Sequence, residues 1–397
     1  MFNFIYRNIH LLSFGFLIAF SSGFGQTFFI SLFSNDFREN LSLTNTEFGS
    51  IYSIATVLSA ITIIWAGKLI DTVNLKKYTL VIVFGMALTC LMASMIFNVF
   101  FLFLTIYFLR LFGQGLMGHT SRTTMSRYFN TNRGKALAIS GFGFSVGEMV
   151  YPSIVVFLLL TIGWRLTWFS SAIFIFFVFG LIFYFLLKNN NFQIENHFNN
   201  EIEPNQVSWK RREVLKDTKF YIYLPLSLLM SFTVTGFLFH QVFIADLKSW
   251  TMTNLAQSFI FYAIFGTIGS VISGILVDKF TGRKLIPFHL IPMAIILVSL
   301  LFSDHVYILF LYMAGLGFSN GFTENTSNSL WAEMYGVNNL GSIKALLTFF
   351  GVLASASSPF LYGVLLDQTN SINILIYLSL ILTLIFSFMA YWGKNFK

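Results

Sequence analysis

The stretch GKLIDTVNLKK at residues 67–77 recurs as GILVDKFTGRK at residues 274–284. Each aligned pair is separated by the same 207 positions, and the same separation relates Tyr128 to Tyr335. Unrelated matches would not keep one register over so long a stretch, so the two halves of the chain form an internal duplication. A repeat of this kind indicates units that bury their apolar surfaces together.

The composition indicates that most of the chain lies in lipid. The 397 residues are 56% hydrophobic, 19% aromatic and only 10% charged, and the mean hydropathy is +0.74. A water-soluble protein with so few charges would expose large apolar patches and aggregate. Because a spanning segment in a bilayer must satisfy its own backbone hydrogen bonds, we expect an all-α membrane protein.

Twelve apolar segments have about the twenty residues that a helix needs to cross a bilayer. They fall into two groups of six, which predicts an N-terminal six-helix bundle at 1–187, a linker loop at 188–218 and a C-terminal six-helix bundle at 219–397. The predicted spans are 9–33, 47–70, 78–97, 99–121, 134–160, 165–187, 219–245, 255–277, 285–303, 306–332, 342–366 and 371–392.

The basic residues predict the orientation of the chain. With the N-terminus inside, twenty of the 24 lysines and arginines lie on the inner side, three lie outside and Arg110 lies within a span. Cytoplasmic loops carry such an excess of positive charge, so both termini and the loop 188–218 are expected to be cytoplasmic. The first part of that loop is expected to be a linker, and the second, SWKRREVLKDTK, a short amphipathic helix on the inner leaflet. For the whole loop, the alternatives are a plain tether between the bundles and a regulatory role.

The pattern G-x-L-x-D-x(4)-[KR]-K after the second span of each half, with six plus six helices, resembles the major facilitator superfamily over essentially the whole chain. A second resemblance, to bacterial members near the monocarboxylate-porter branch, rests on four stretches. They are RLFGQGLMGHT (110–120), RGKALAISGFGFSVGEMVYP (133–152), GWR (163–165) and LWAEMYGVNNLGSIKAL (330–346). The resemblance implies an inner-membrane transporter that moves a small molecule across the membrane by alternating access. We expect it to act as a monomer, not to be an enzyme and to need no cofactor.

Each copy of the repeated loop is expected to act as a conformational latch. Asp71 and Asp278 lie where a helix ends at the inner face, with basic side chains five and six residues on. A carboxylate there can pair with those cations and accept hydrogen bonds from a helix N-terminus. The resemblance implies that the latch holds the outward-facing state; the alternative is that these charges only set the topology. The candidate latch residues are Gly67, Asp71, Lys77, Gly274, Asp278, Arg283 and Lys284.

Two charged side chains inside predicted spans are candidates for transport chemistry. An ionisable group at bilayer depth costs at least a few kcal/mol, which makes it a functional candidate. Arg110 lies about 15 Å into the fourth span and Glu148 about 22 Å into the fifth, at 1.5 Å per residue. We expect the two to pair on adjacent antiparallel helices, with Glu148 carrying a proton and Arg110 anchoring an anionic substrate. The alternative is a static structural ion pair.

Further polar candidates lie in the tenth, fourth and first spans. Glu324, Asn325 and Asn328 lie on one apolar helix and predict a cavity wall; the alternative is hydrogen bonding between helices. His119 and Gln26 are candidates for substrate contact or coupling, and for the histidine a packing role is the alternative.

The sequence has no ATP-binding motif, no zinc-binding H-E-x-x-H and no soluble basic module for nucleic acid. We therefore predict a secondary transporter of a small organic solute, and the leading substrate class is a small organic anion such as a monocarboxylate. We expect transport to be coupled to protons and to need no metal. The eighth span lacks the arginine that monocarboxylate porters place there. The alternatives are a proton-driven exporter of drugs, siderophores or metabolites, and a transporter-like sensor or scaffold.

Overall fold

The computed structural model describes residues 2–129, 132–188, 209–336 and 339–393, and within these ranges the chain is helical and contains no strand. The all-α prediction is therefore confirmed. Among these described residues, ten helices are long and apolar enough to cross a membrane, and a pair bent by 43° makes eleven. They are Ile9–Gly25 with Thr27–Leu41 (the bent pair), Asn45–Thr72, Leu75–Ser94, Val99–Tyr128, Arg133–Leu186, Thr218–Phe239, Met252–Phe280, Gly282–Ser299, Val306–Tyr335, Gly341–Thr369 and Asn373–Trp392.

The stretch Arg133–Leu186, one of these ten, is 54 residues long. As one helix it would be about 80 Å long, more than twice the bilayer core of about 30 Å. Gly163 interrupts it with φ 76° and ψ 167°, a backbone conformation that is essentially restricted to glycine. The break separates the predicted spans 134–160 and 165–187, so each of the twelve predicted segments has a helix in the structure.

The described residues group into two compact units. The first consists of Met1–Leu43 and Ile51–Asn200, and the second of Thr44–Ser50 and Glu201–Lys397. The bundle boundaries expected at 187 and 219 stay a prediction, since residues 189–208 of the linker lie outside the part of the chain that the structure describes.

In the first unit, helix Ile9–Ser21 packs against helix Arg133–Ile173. Gly143 permits this contact, because a Cβ there would lie 2.2 Å from the carbonyl oxygen of Phe16. Aromatic rings fill the adjoining core, with the centroid of Phe24 4.7 Å from that of Tyr151. Small residues at the seam and rings beside it thus bury the apolar face of the first span.

In the second unit, helices Met252–Phe280 and Val306–Tyr335 approach closely through glycines. A Cβ at Gly321 would lie 1.9 Å from the carbonyl oxygen of Gly266, and one at Gly317 would lie 2.0 Å from that of Tyr262. Backbones that touch in this way gain van der Waals contact that larger residues would prevent. This glycine seam fixes the position of the tenth span, which carries several of the candidate site residues.

The seam gives a direct stability test. Gly321→Ala is expected to lower the free energy of unfolding by about 1–3 kcal/mol, because the added methyl group overlaps a backbone carbonyl that cannot move aside. Gly351→Ala is the matched control, since a Cβ at Gly351 meets no atom within 4 Å. Thermal unfolding in detergent measures both variants. Equal stability of the Gly321 variant and the wild type would show that the seam is looser than described.

Asp367 stabilises the beginning of helix Asn45–Ala66 within the second unit. Its carboxylate accepts hydrogen bonds from the Asn45 backbone N–H (3.1 Å) and amide side chain (2.9 Å), and from the Thr46 backbone N–H (2.7 Å) and hydroxyl (2.6 Å). The first turn of a helix leaves its N–H groups without intrahelical partners and favours negative charge. Asp367 therefore acts as an N-terminal cap from 322 residues away.

Candidate functional site

Arg110 lies where the fourth span changes its hydrogen-bond pattern. Helix Val99–Leu109 continues as a π-helix over Arg110–Met117, a widening that is frequent at functional sites. Within this segment Gly113 packs on Gly25 so closely that a Cβ at Gly113 would lie 2.6 Å from the Gly25 Cα. The close approach places the backbone of the first span beside the guanidinium group.

The Arg110 side chain is buried, with 2% of its surface exposed. Its Nη1 donates to the Gly25 carbonyl oxygen (3.2 Å) and to the Thr27 hydroxyl (3.4 Å), and its guanidinium carbon lies 5.1 Å from the centroid of the Tyr52 ring. Its Nε has no hydrogen-bond partner among the described residues. A carbonyl, a hydroxyl and a π-face thus stabilise the cation, and none of them neutralises its charge.

The ion pair expected between Arg110 and Glu148 is wrong for this structure: within the described ranges, Arg110 contacts Gly25, Thr27 and Tyr52 and makes no salt bridge to Glu148. The physical reason is the glycine contact with the first span, which draws the guanidinium group toward that span. Glu148 is half-buried on helix Arg133–Ile173.

Gln26 marks a break in the first span next to Arg110. It separates the turn Ser22–Gly25 from helix Thr27–Ile30 and has extended backbone angles, φ −82° and ψ 155°. The break leaves the Gly25 carbonyl available to Arg110. Interrupted helices whose free backbone groups line a binding site are typical of secondary transporters. The structure therefore brings two predicted site residues, Gln26 and Arg110, to the same place.

The latch loop of the first unit is held by a different cation from the ones expected. Arg127 donates to the Ile70 carbonyl oxygen (3.0 Å) and forms a salt bridge with Asp71. The expected pairing of Asp71 with the lysines that follow is wrong, since Lys76 lies over the Tyr184 ring at 3.7 Å and Lys77 is exposed. The Asn74 side chain accepts a hydrogen bond from the Lys76 N–H and caps the next helix, in whose first turn both lysines lie.

His119 contacts the same loop. A Cβ at Gly67 would lie 3.4 Å from the His119 Cδ2 and Nε2 atoms, and the Thr123 hydroxyl lies 3.3 Å from Nε2. The next residues along this helix line a shallow surface depression that is largely open: Arg122, Thr123, Ser126 and Arg127. His119 and Gly67, predicted for separate roles, therefore share one region next to a basic surface.

The latch loop of the second unit has a carboxylate that the sequence did not single out. Glu333 accepts hydrogen bonds from the Gly282 N–H (2.6 Å), the Arg283 N–H (3.0 Å) and the Ser329 hydroxyl (2.6 Å). Asp278 is exposed and makes no salt bridge or hydrogen bond in the described part of the chain, so its expected pairing with Arg283 and Lys284 is also wrong. The two copies of one loop are thus held by different chemistry.

The polar residues of the tenth span divide between two faces. The Asn325 amide donates to the Ser270 carbonyl oxygen (2.7 Å) and to the Ser270 and Ser273 hydroxyls (both 3.1 Å), next to Gly274. These bonds support the interhelical interpretation for Asn325. Glu324 and Asn328 are exposed. A carboxylate inside a span avoids lipid, so this second face is suited to a water-filled space.

Among the described residues, no group of three or more His, Cys, Asp or Glu side chains is placed to hold a metal ion. The candidate groups of the first unit are therefore Arg110 at the broken first span and the basic surface beside the latch loop, and those of the second unit lie on the exposed polar face of the tenth span.

Comparisons with known proteins place the chain in a family. The family model described as Major Facilitator Superfamily matches residues 15–359. A bacterial homolog of the human lysosomal transporter Spinster, solved in an inward-facing and unoccupied conformation, has a TM-score of 0.74 at 13% identity, with 97% of each chain covered. The nucleoside transporter NupG has a TM-score of 0.74 at 12% identity, with 98% of this chain and 99% of that chain covered.

No curated protein matches the chain significantly in sequence. At 12–13% identity the two solved structures show the fold alone. The family model, in contrast, spans most of the sequence, including both copies of the repeated loop. The chain belongs to the major facilitator superfamily of membrane transporters.

Proposed function

We propose that the protein is a secondary transporter that carries a small organic anion across the inner membrane by alternating access, coupled to protons. The observation that carries the proposal is Arg110, a buried cation bonded to the break in the first span. An uncompensated charge at this depth costs several kcal/mol, and a bound anion would recover part of that cost. A carboxylate fits the planar guanidinium group best, because it accepts two parallel hydrogen bonds.

The acid that carries the proton in this proposal is Glu148. Glu148 is half-buried within a span and forms no salt bridge with Arg110. Arg110 can therefore bind the substrate while Glu148 takes up the proton. A carboxylate that gains a proton as the anion binds would keep the net charge of the loaded site low. Glu324, exposed on the tenth span, is the second candidate for this step.

The remaining parts of the proposal follow from the topology and the loops. Both termini lie in the cytoplasm in this proposal, because only that orientation places the excess of lysines and arginines in cytoplasmic loops, where such an excess is usual. Asp71 with Arg127, and Glu333 with the loop at Gly282, hold the two latch loops. The protein acts as a monomer, with each loop being released and re-formed as the transporter changes conformation.

Uptake into proteoliposomes tests the substrate class. Labelled monocarboxylates, dicarboxylates, neutral sugars and nucleosides are supplied outside vesicles whose interior is alkaline. The proposal expects accumulation of a carboxylate that collapses when a protonophore removes the pH gradient. Accumulation of neutral solutes alone would contradict the anion proposal, and efflux from loaded vesicles without uptake would favour an exporter.

Glu148→Gln tests the coupling step. In the variant, proton-driven accumulation of substrate is expected to be at least about tenfold lower than in the wild type, which lies within the usual range of coupling energies. Exchange of labelled for unlabelled substrate should persist. Glu39→Gln removes an exposed carboxylate from the end of a helix and is the control. If Glu148→Gln accumulates substrate like the wild type and Glu324→Gln does not, the proton carrier is Glu324.

A further inference from the structure

The end of the polar loop is folded onto the second unit. The Trp209 backbone N–H donates to the Tyr335 carbonyl oxygen (3.2 Å), and the two rings are 5.4 Å apart. Val214 is fully buried, and the Tyr335 hydroxyl donates to the Asp217 carboxylate at 2.9 Å. The segment 209–219 is therefore attached to the end of the tenth span.

This segment lies where two of the apolar spans begin and end. Helix Thr218–Phe239 begins in it, and helix Val306–Tyr335 ends against it. Its short helix, Arg211–Val214, contacts helix Leu340–Thr369. Apolar spans begin and end where the hydrocarbon core meets the headgroups, so the two helix ends indicate that the segment lies at that boundary.

The acidic side chains of the segment accept hydrogen bonds from backbone N–H groups of the segment itself. Glu213 accepts a hydrogen bond from the Lys210 N–H at 2.6 Å, and Asp217 accepts one from the Lys219 N–H at 3.0 Å. The basic side chains point outward instead. Four of them are exposed, and none forms a salt bridge in the part of the chain that the structure describes: Lys210, Arg211, Arg212 and Lys216, called here the basic segment.

We propose that the basic segment binds the anionic headgroups of membrane lipids, in particular phosphodiester headgroups such as that of phosphatidylglycerol. Several lysines and arginines directly beside a span attract an anionic membrane surface, and the attraction falls off within a Debye length. Tyr221 is half-exposed next to the segment, and its hydroxyl donates to the Leu215 carbonyl oxygen at 2.9 Å. Aromatic side chains with one polar end favour this same interface.

Binding at the basic segment bears on the second latch loop. Tyr335, to which the segment is attached, lies two residues after Glu333, which holds the Gly282 and Arg283 N–H groups. One helix end thus supports both the lipid-facing segment and the loop.

The experiment uses the full-length protein in nanodiscs with photo-crosslinkable analogues of phosphatidylglycerol and phosphatidylcholine. Peptides that carry the label are mapped by mass spectrometry. The phosphatidylglycerol analogue is expected to label residues 209–221 at least about tenfold more than the phosphatidylcholine analogue, and high salt should reduce the difference. Equal labelling by the two analogues would overturn the proposal.

Charge variants separate this proposal from other causes of labelling. The neutral variant K210Q/R211Q/R212Q/K216Q should lose the preference for the anionic analogue, and the charge-preserving variant K210R/R211K/R212K/K216R should keep it. Two half-neutral variants, K210Q/R212Q and R211Q/K216Q, should show intermediate labelling and serve if the neutral variant does not fold. Protection by free inorganic phosphate or by soluble nucleic acid as strong as that by anionic vesicles would also overturn a lipid site.

Discussion

Arg110→Gln is expected to give a protein that is at least as stable as the wild type and does not transport. The guanidinium group is buried without a carboxylate partner, so folding bears the cost of desolvating it. Replacing the guanidinium group by a neutral amide removes that desolvation cost, so the free energy of unfolding is expected to stay the same or to rise. Transport of an anion should fall at least about a hundredfold, because the charge-assisted hydrogen bonds are lost.

Arg165 provides the opposite control. Its guanidinium group donates to the carbonyl oxygens of Ser94 (3.2 Å) and Ile96 (3.1 Å) and to the Asn40 side chain (3.0 Å), and it lies over the Trp164 ring. It therefore stabilises helix ends at Ser94 and Asn40 and contacts neither Gln26 nor the groups that bind Arg110. Arg165→Gln is expected to lower the unfolding temperature and to leave transport intact.

Thermal unfolding and uptake, measured on the same preparations, separate the two arginines. Arg110→Lys adds a third arm, since an ammonium group keeps the charge but cannot bond to Gly25 and Thr27 while lying over a ring. This variant should be inactive as well. An active Arg110→Gln variant, or one that unfolds well below the wild type, would contradict an anion-binding role and favour a structural one.

The sequence predicts the spans well because their signal is local. Twenty apolar residues are a property of one segment, so each of the twelve predicted segments has a helix. Arg110 is predictable for a similar reason, since a charge within an apolar run is visible without any contact information. The predicted spans 134–160 and 165–187 likewise lie on either side of the break at Gly163.

The partners of the charged residues could not be predicted in the same way. Asp71 has basic residues nearby in sequence, yet its partner is Arg127, 56 positions away. The depths of Arg110 and Glu148 along two neighbouring spans predict that they pair. In the structure, the contact between Gly25 and Gly113 places Arg110 against the first span instead. Which of several possible partners is reached depends on how closely two helices approach, and the spacing of residues along one helix does not contain that information.

The repeat explains why the two latches differ. Arg127 of the first half corresponds to Met334 in the second, so the second loop has no cation at the equivalent position. Glu333, one residue earlier, binds the loop through its backbone N–H groups instead. A duplicated sequence can thus keep the same loop while changing the residue that holds it. Asp278 remains in the sequence pattern but has lost the contact that Asp71 makes.

Glu333→Ala is therefore expected to release the second loop, whereas Asp278→Ala is not. The alanine leaves the buried Gly282 N–H and the Arg283 N–H without acceptors, at a cost of about 1–3 kcal/mol in stability. Asp278→Ala removes an exposed side chain and should stay within about 0.5 kcal/mol of the wild type. Glu333→Gln keeps one acceptor oxygen and should fall between them.

Hydrogen exchange at the loop gives the most direct measurement, because it reports local opening of individual N–H groups. Peptides that contain Gly282 and Arg283 should exchange faster in Glu333→Ala and at the wild-type rate in Asp278→Ala. Uptake should fall in the first variant by at least about tenfold, in line with a coupling energy above 1 kcal/mol. Unchanged exchange in Glu333→Ala, or equal acceleration in Asp278→Ala, would return the latch role to the aspartate that the repeat shares between both halves.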